Sequence, residues 1–327
     1  MGFSNIVGHT RQLESLRAAL VGGRLHHAYL FLGPEGIGKQ TIAMALAQAI
    51  HCAAGNGDFC GSCDACVRIQ SGNHPDVRLV GLLEKKKEIV IDQVRQLERE
   101  LAYRSFSGKP KMAIIDPATL LNAPAQNALL KTLEEPPEQS ILVLIASSGG
   151  PLLPTVRSRC LSLTFGPLPR DAVAEALIAR GKAPDEATLL AALSIGSLGA
   201  AMMIESEGWL EKRRNWGEII GALEPGDYRG AMAAAETIAG DRVETLKFLE
   251  WAGSWYRDLM VYAVTRDADK LANPDLIERI ETLSAKTPFD RLLWLFSQIG
   301  EAAGQVQRNV NRRMIIEKLL FGAVKAG

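Results

Sequence analysis

Apolar positions along the chain follow two periods. In the first half, short apolar runs alternate with stretches whose apolar residues recur every three or four positions, the pattern of parallel strands separated by helices. The runs AYLFL (28–32), DVRLV (76–80), MAII (112–115), ILVLIA (141–146) and LSLTF (161–165) read as strands. Between them TIAMALAQAI, DQVRQLERELA and APAQNALLKTLEE read as helices, with Asp92 and Asn122 as expected N-caps of the last two.

Strand signals stop after GPLPR, so the α/β segment is expected to cover residues 1–166. Residues 167–206 carry short helical patterns broken by GKAPDE and GSLG, which predicts a small helical subdomain. From 207 to 327 the periodicity is helical throughout, with breaks at EPGD, GDR, ANPD and KTPFD, which predicts an all-helical third domain. Trp209, Trp216, Trp251, Trp255 and Trp294 are expected in its core. The KKKE run at 85–88 reads as a solvated loop.

Length and charge narrow the class. A chain of 327 residues holds two or three domains at about 100–200 residues each. Lys plus Arg and Asp plus Glu both number 37, so no global charge points to nucleic acid or membrane. The start MGFSNIVGHTRQLESL lacks an apolar signal region, and no long apolar run occurs, so a cytoplasmic location without membrane contact is the expectation.

The first candidate site is GPEGIGKQ, Gly33 to Gln40, which follows a predicted strand and opens a predicted helix. Gly33, Gly36 and Gly38 permit a tight turn that aims backbone N–H groups at phosphate, and Lys39 adds a point charge. The hydroxyl that binds Mg²⁺ in such loops is replaced by Gln40, with Thr41 one residue late. MAII ends in Asp116, placed for a metal-side carboxylate, but Pro117 stands where a water-orienting Glu is needed. Hydrolysis in cis is therefore expected to be badly impaired, with ATP and Mg²⁺ bound weakly or not at all.

The second candidate site is Cys52, Cys60, Cys63 and Cys66, spaced C-x7-C-x2-C-x2-C on an insertion at about 52–66. Four thiolates on a short loop can close tetrahedrally around a structural Zn²⁺. A redox dithiol and a metal-free structural loop are the rivals. His51 and His74 are spare donors, expected as cap or surface residues, and Cys160 is expected as a small buried hydrophobe.

The stretches LLNAPAQNALLKTLEEPPE and LLPTVRSRC, with GRLHHAYLFLGPEGIGK and SGNHPDV, resemble the bacterial clamp-loader family of AAA+ proteins over at least residues 5–165. The resemblance implies an AAA+ P-loop domain (parallel sheet flanked by helices), a small helical lid and an all-α collar, whose last helix NVNRRMIIEKLL resembles. It implies a zinc module at the cysteines. It also implies that Arg159, in SRC, reaches as a finger onto a neighbour's ATP, while Gly199 in GSLGAAM replaces a nucleotide-touching arginine of the motor subunits. The chain thus looks like a non-motor, ATPase-deficient subunit of DNA polymerase III's loader. Implied partners are the gamma/tau motor subunits and a delta subunit, with sliding clamp and primed DNA reached through the complex. The alternatives are an active gamma/tau-like ATPase using Thr41 and Glu134, and a zinc-dependent nucleic-acid binder, for which only Arg68 and Arg78 lie near the cysteines.

Overall fold

The computed structural model describes residues 2–84, 86–206, 208–308 and 310–325, so Lys85 of the KKKE run and Asn309 of the last predicted helix lie outside the described residues. The chain divides into two compact units, Met1–Arg180 with Gly196–Ala200, and Gly181–Ile195 with Ala201–Gly327.

In the first unit the five apolar runs form strands β1 (Ala28–Leu32), β2 (Val77–Val80), β3 (Lys111–Ile115), β4 (Ser140–Ala146) and β5 (Leu161–Thr164). They make one parallel sheet in the order β2-β3-β4-β1-β5. β3 and β4 are buried at every position, because helices cover both faces and leave no side for polar residues.

The helices are α1 (Thr10–Val21), α2 (Lys39–His51), α3 (Asp64–Gln70), α4 (Ile91–Ala102), α5 (Ala123–Glu134), α6 (Pro154–Arg157) and α7 (Arg170–Ile178). Side chains of alternate parity sort between the faces. Phe31, Val143 and Ile145 pack with Leu16, Ile42 and Leu46, whereas Leu30, Leu142 and Leu144 pack with Val94, Leu97 and Leu129. The phosphate loop and Asp116 consequently emerge at the same end of the sheet, the carboxyl ends of β1 and β3, where parallel sheets place their ligands.

Asn122 caps α5 as expected, its side chain accepting from Ala125 N at 3.0 Å. Asp92 does not cap α4. The helix starts one residue earlier, at Ile91, and Gln93 Oε1 reaches back to accept from Val90 N at 3.2 Å, which leaves Asp92 in the first turn. Lys86, Lys87 and Glu88 are exposed, as a solvated loop requires.

The second unit is helical: α8 (Pro184–Leu193), the end of α9 (Leu198–Ser206), α10 (Trp209–Gly221), α11 (Tyr228–Ile238), α12 (Arg242–Thr265), α13 (Ile277–Lys286), α14 (Phe289–Gln307) and α15 (Arg312–Val324). Trp216, Trp251 and Trp255 sit in its core beside Phe248, and Trp209 packs edge-on against Trp216. Trp294 departs from the expectation. It is 44 % exposed, because its ring lies over the Cα of Gly322 on the outside of α14. No single described helix is long and apolar enough to cross a membrane.

A polar cluster is fully enclosed in this unit. The Arg213 guanidinium, 0 % exposed, makes a two-pronged contact with Asp275 at 2.7 and 3.0 Å and donates to Asn273 Oδ1 at 3.0 Å. Asn273 in turn donates through its backbone and side-chain nitrogens to Asp258, also 0 % exposed.

Candidate functional site

The phosphate loop is built by backbone conformations that demand glycine. Gly33, Gly36 and Gly38 have φ of 151°, 71° and 104°. A Cβ on Gly33 would lie 2.2 Å from the Phe165 carbonyl oxygen, so no side chain fits there. Lys39 opens α2 and is only 6 % exposed. Its ammonium donates to the carbonyls of Gly33 and Pro34, each at 2.5 Å, so its charge is used within its own loop.

Burial pulls the Lys39 pKa below its ordinary value, against the pull of Asp116 and Glu35 in the other direction. Burial also raises the Asp116 carboxyl, and the neighbouring ammonium of Lys39 offsets only part of that. Asp116 is joined to Pro117 by a cis peptide bond. Gln40 and Thr41 are both exposed.

Ser197 and Gly199, on the segment Gly196–Ala200, close over the loop. Ser197 Oγ donates to Glu35 O at 3.0 Å, and Gly199 N donates to Gly36 O at 2.8 Å. A Cβ on Gly199 would come within 2.8 Å of Gly36 Cα, which is backbone and cannot swing aside. Any side chain at this position would need this contact to open. Ser197 is a residue that sequence patterns did not single out; its partner Glu35 is 162 positions away.

Arg159 lies between α6 and β5. Its guanidinium pairs with Glu134 at the end of α5, at 2.6 Å, and donates to Thr155 O at 3.0 Å. The arginine side chain is 36 % exposed and the glutamate 51 %. Glu134, the base considered for an active site, is therefore engaged with Arg159. Neighbouring Cys160 is half-buried rather than fully buried, and burial pushes its thiol up to about 12.

The four clustered cysteines converge. The Sγ atoms of Cys52, Cys60, Cys63 and Cys66 all lie within 4.8 Å of one another. Tetrahedral Zn–S bonds of about 2.3 Å need sulfurs about 3.8 Å apart, so only a small contraction is required. Cys60 N donates to Cys52 Sγ at 3.4 Å and Cys63 N to Cys60 Sγ at 3.3 Å, contacts that favour thiolates. Hydrogen bonds from Ser62, backbone first, bring Cys60 down to about 5, whereas burial pushes Cys66 up to about 12. A bound cation would favour the thiolate form of all four. This donor set fits a closed structural zinc site.

His51 and His74 are not cap or surface residues. They are 4 % and 6 % exposed, and their rings meet at 4.5 Å beside the 3 % exposed Asp76. The reason is the turn NHPD, which folds His74 and Asp76 under the end of α2 immediately before β2. Burial lowers both histidine pKa values, that of His51 to about 4, which favours the neutral ring.

A family model described as DNA polymerase III, delta subunit, matches residues 8–169, and one described as its C-terminal part matches residues 207–323. The chain is 34 % identical to DNA polymerase III subunit delta' of Pseudomonas aeruginosa over 92 % of this chain and 93 % of that one. It is 30 % identical to the delta' subunit of Bacillus subtilis over 95 % and 94 %. It is also 38 % identical to DNA polymerase III subunit tau of Escherichia coli, but over only 49 % of this chain and 24 % of that protein. The match to delta' runs nearly end to end, while the match to tau covers only about half of the chain. With its parallel α/β P-loop domain and helical C-terminal region, the chain belongs to the delta-prime (delta') family of DNA polymerase III clamp-loader subunits.

Proposed function

We propose that this chain is the non-motor member of a sliding-clamp loader and donates Arg159 in trans to the ATP site of an adjacent motor subunit of the gamma/tau kind. The carrying observation is that its own phosphate loop is spent while its finger motif is intact. Lys39 donates to its own loop carbonyls, Gly199 sits against Gly36, and Pro117 stands where a base is needed, yet Ser158, Arg159 and Cys160 remain.

A guanidinium beside developing phosphoryl charge is worth about 10³–10⁵ in rate, so one subunit can lack a base and still serve catalysis next door. Arg159 is partly exposed, with Glu134 and the Thr155 carbonyl holding it in place, as a donated group requires. The second unit supports membership of a ring. Phe289, Leu293 and Phe296 are each more than 40 % exposed at i, i+4 and i+7 on α14, an apolar stripe suited to a neighbouring collar helix. The delta subunit, the clamp and primed DNA follow as partners of the complex. The clustered cysteines would hold structural zinc, with Cys52, Cys60, Cys63 and Cys66 as its ligands.

The test is a reconstituted loader carrying one substitution at a time. Arg159→Ala is expected to cut ATP turnover at the adjacent site and clamp loading on primed DNA. Lys39→Ala in the same chain is expected to change little. Full loading by the Arg159→Ala complex would overturn the finger role, and intrinsic turnover by the isolated chain, abolished by Lys39→Ala, would favour the active-ATPase alternative.

A further inference from the structure

We propose that His51, His74 and Asp76 form a second transition-metal site of the zinc-binding class, separate from the four cysteines and independent of the loader reading. One donor atom from each residue lies within 4.8 Å of the others. The three side chains are 4 %, 6 % and 3 % exposed, so this is an enclosed pocket and not a chance surface cluster. The donors come from separate segments: His51 ends α2, and His74 and Asp76 lead into β2.

One of the two histidines lacks a partner that a buried ring ordinarily has. His51 Nδ1 meets Ser107 Oγ at 3.2 Å, while His51 Nε2 is buried with no partner in hydrogen-bond geometry, although the Pro110 backbone lies close to the ring. Leaving such an atom unsatisfied is unfavourable, and a metal bond, direct or through rotation of the ring, removes that cost. The two rings are inclined at 49° and so do not stack flat, and one donor atom of each lies within 4.8 Å of the other. His74 Nδ1 faces Asp76 N at the long distance of 3.2 Å, a contact weak enough to yield to a ligand bond.

Asp76 is already oriented by its surroundings. Its oxygens accept from Phe106 N and Ser107 N at 2.8 Å each and from Ser105 Oγ at 3.2 Å. A carboxylate offers about four lone-pair positions, so a metal can be added without breaking these bonds. Ser107 touches both Asp76 and His51, the outer-shell arrangement that fixes ligands around metals. Lys109 and Arg68 lie nearby as opposing cations. Lys109, however, donates its ammonium to Cys52 O at 3.0 Å, and Arg68 is paired with Asp64. Two imidazoles and a carboxylate suit zinc or cobalt, with a fourth position for water. Such an ion would tie the end of α2 to β2 and to the loop at 105–107.

The experiment is a cobalt(II) titration of the full chain, stripped of metal under reducing conditions and followed by absorbance. The expected result is about two cobalt ions per chain, one with intense thiolate-to-cobalt charge transfer and one with weak d–d bands only. His74→Ala and His51→Leu are each expected to bind about one, with charge transfer at full strength, which also reports that the cysteine module is folded. Saturation of the wild type at about one ion, or survival of the second equivalent in both variants, would overturn the proposal. So would loss of the charge-transfer band in either variant, because the histidine would then belong to the cysteine site.

Discussion

Removal of the Arg159 guanidinium separates structure from catalysis by magnitude. In the free chain the side chain makes one ion pair, to Glu134 at 2.6 Å, and one hydrogen bond, to Thr155 O. With 36 % and 51 % exposure the pair is well solvated, and such surface pairs contribute about 0–1 kcal/mol. The single hydrogen bond adds about 0.5–1.5 kcal/mol, and water replaces it at this exposure. Arg159→Ala should thus lower folding stability by no more than about 1–2 kcal/mol. A finger worth about 10³–10⁵ in rate corresponds to about 4–7 kcal/mol of transition-state stabilisation at about 1.4 kcal/mol per decade.

The two effects are therefore resolvable in one set of samples. Urea unfolding of the isolated chain reads the first, and single-turnover ATP hydrolysis by the assembled complex reads the second, after assembly has been checked by size-exclusion chromatography. Arg159→Lys keeps the charge but loses the planar fork, and should recover only part of the rate. A small stability loss with a large rate loss is the expected pattern. A variant complex that assembles and hydrolyses within about threefold of wild type would refute the reasoning.

Three further outcomes are expected. Zinc measured on protein purified without chelators should be present, and Cys63→Ser should weaken the thiolate-to-cobalt charge transfer; an undiminished band would remove Cys63 from the ligand set. Asp116→Asn should raise the thermal midpoint at neutral pH, because burial raises the folded carboxyl above its unfolded value, so ionisation opposes folding once pH exceeds the unfolded pKa of about 3.9. That gain should vanish as pH falls below the unfolded pKa, and a lower midpoint at neutral pH would contradict it. Arg213→Ala should cost about 3–5 kcal/mol in urea unfolding, since it leaves Asp275 and Asn273 without their buried partner; a loss under about 1 kcal/mol would mean the network is idle.

Local chemistry was legible in sequence wherever one segment carries it whole. The strands, the glycine loop with Lys39, the Asn122 cap and the cysteine spacing each depend on neighbours within a few positions, and periodicity or motif exposes them. Asp92 failed as a cap because the helix begins at Ile91, where Gln93 Oε1 accepts from Val90 N, so Asp92 falls inside the first turn, a boundary that pattern alone does not place. Trp294 failed as a core residue because burial depends on what lies opposite, and opposite it is a glycine that leaves the ring at the surface.

The sequence by itself determined the class of fold, the glycine-built phosphate loop and the set of four thiols, because short-range backbone and spacing constraints suffice for these. Only the tertiary structure decided that Lys39 is spent on its own loop, that Ser197 and Gly199 lie against Glu35 and Gly36, that Glu134 holds Arg159, and that His51 meets His74 and Asp76 in the interior. The physical reason is separation along the chain. These contacts join residues from a few to more than 160 positions apart, and what brings them together is closure of the sheet and its covering helices around a shared core, which no local pattern encodes.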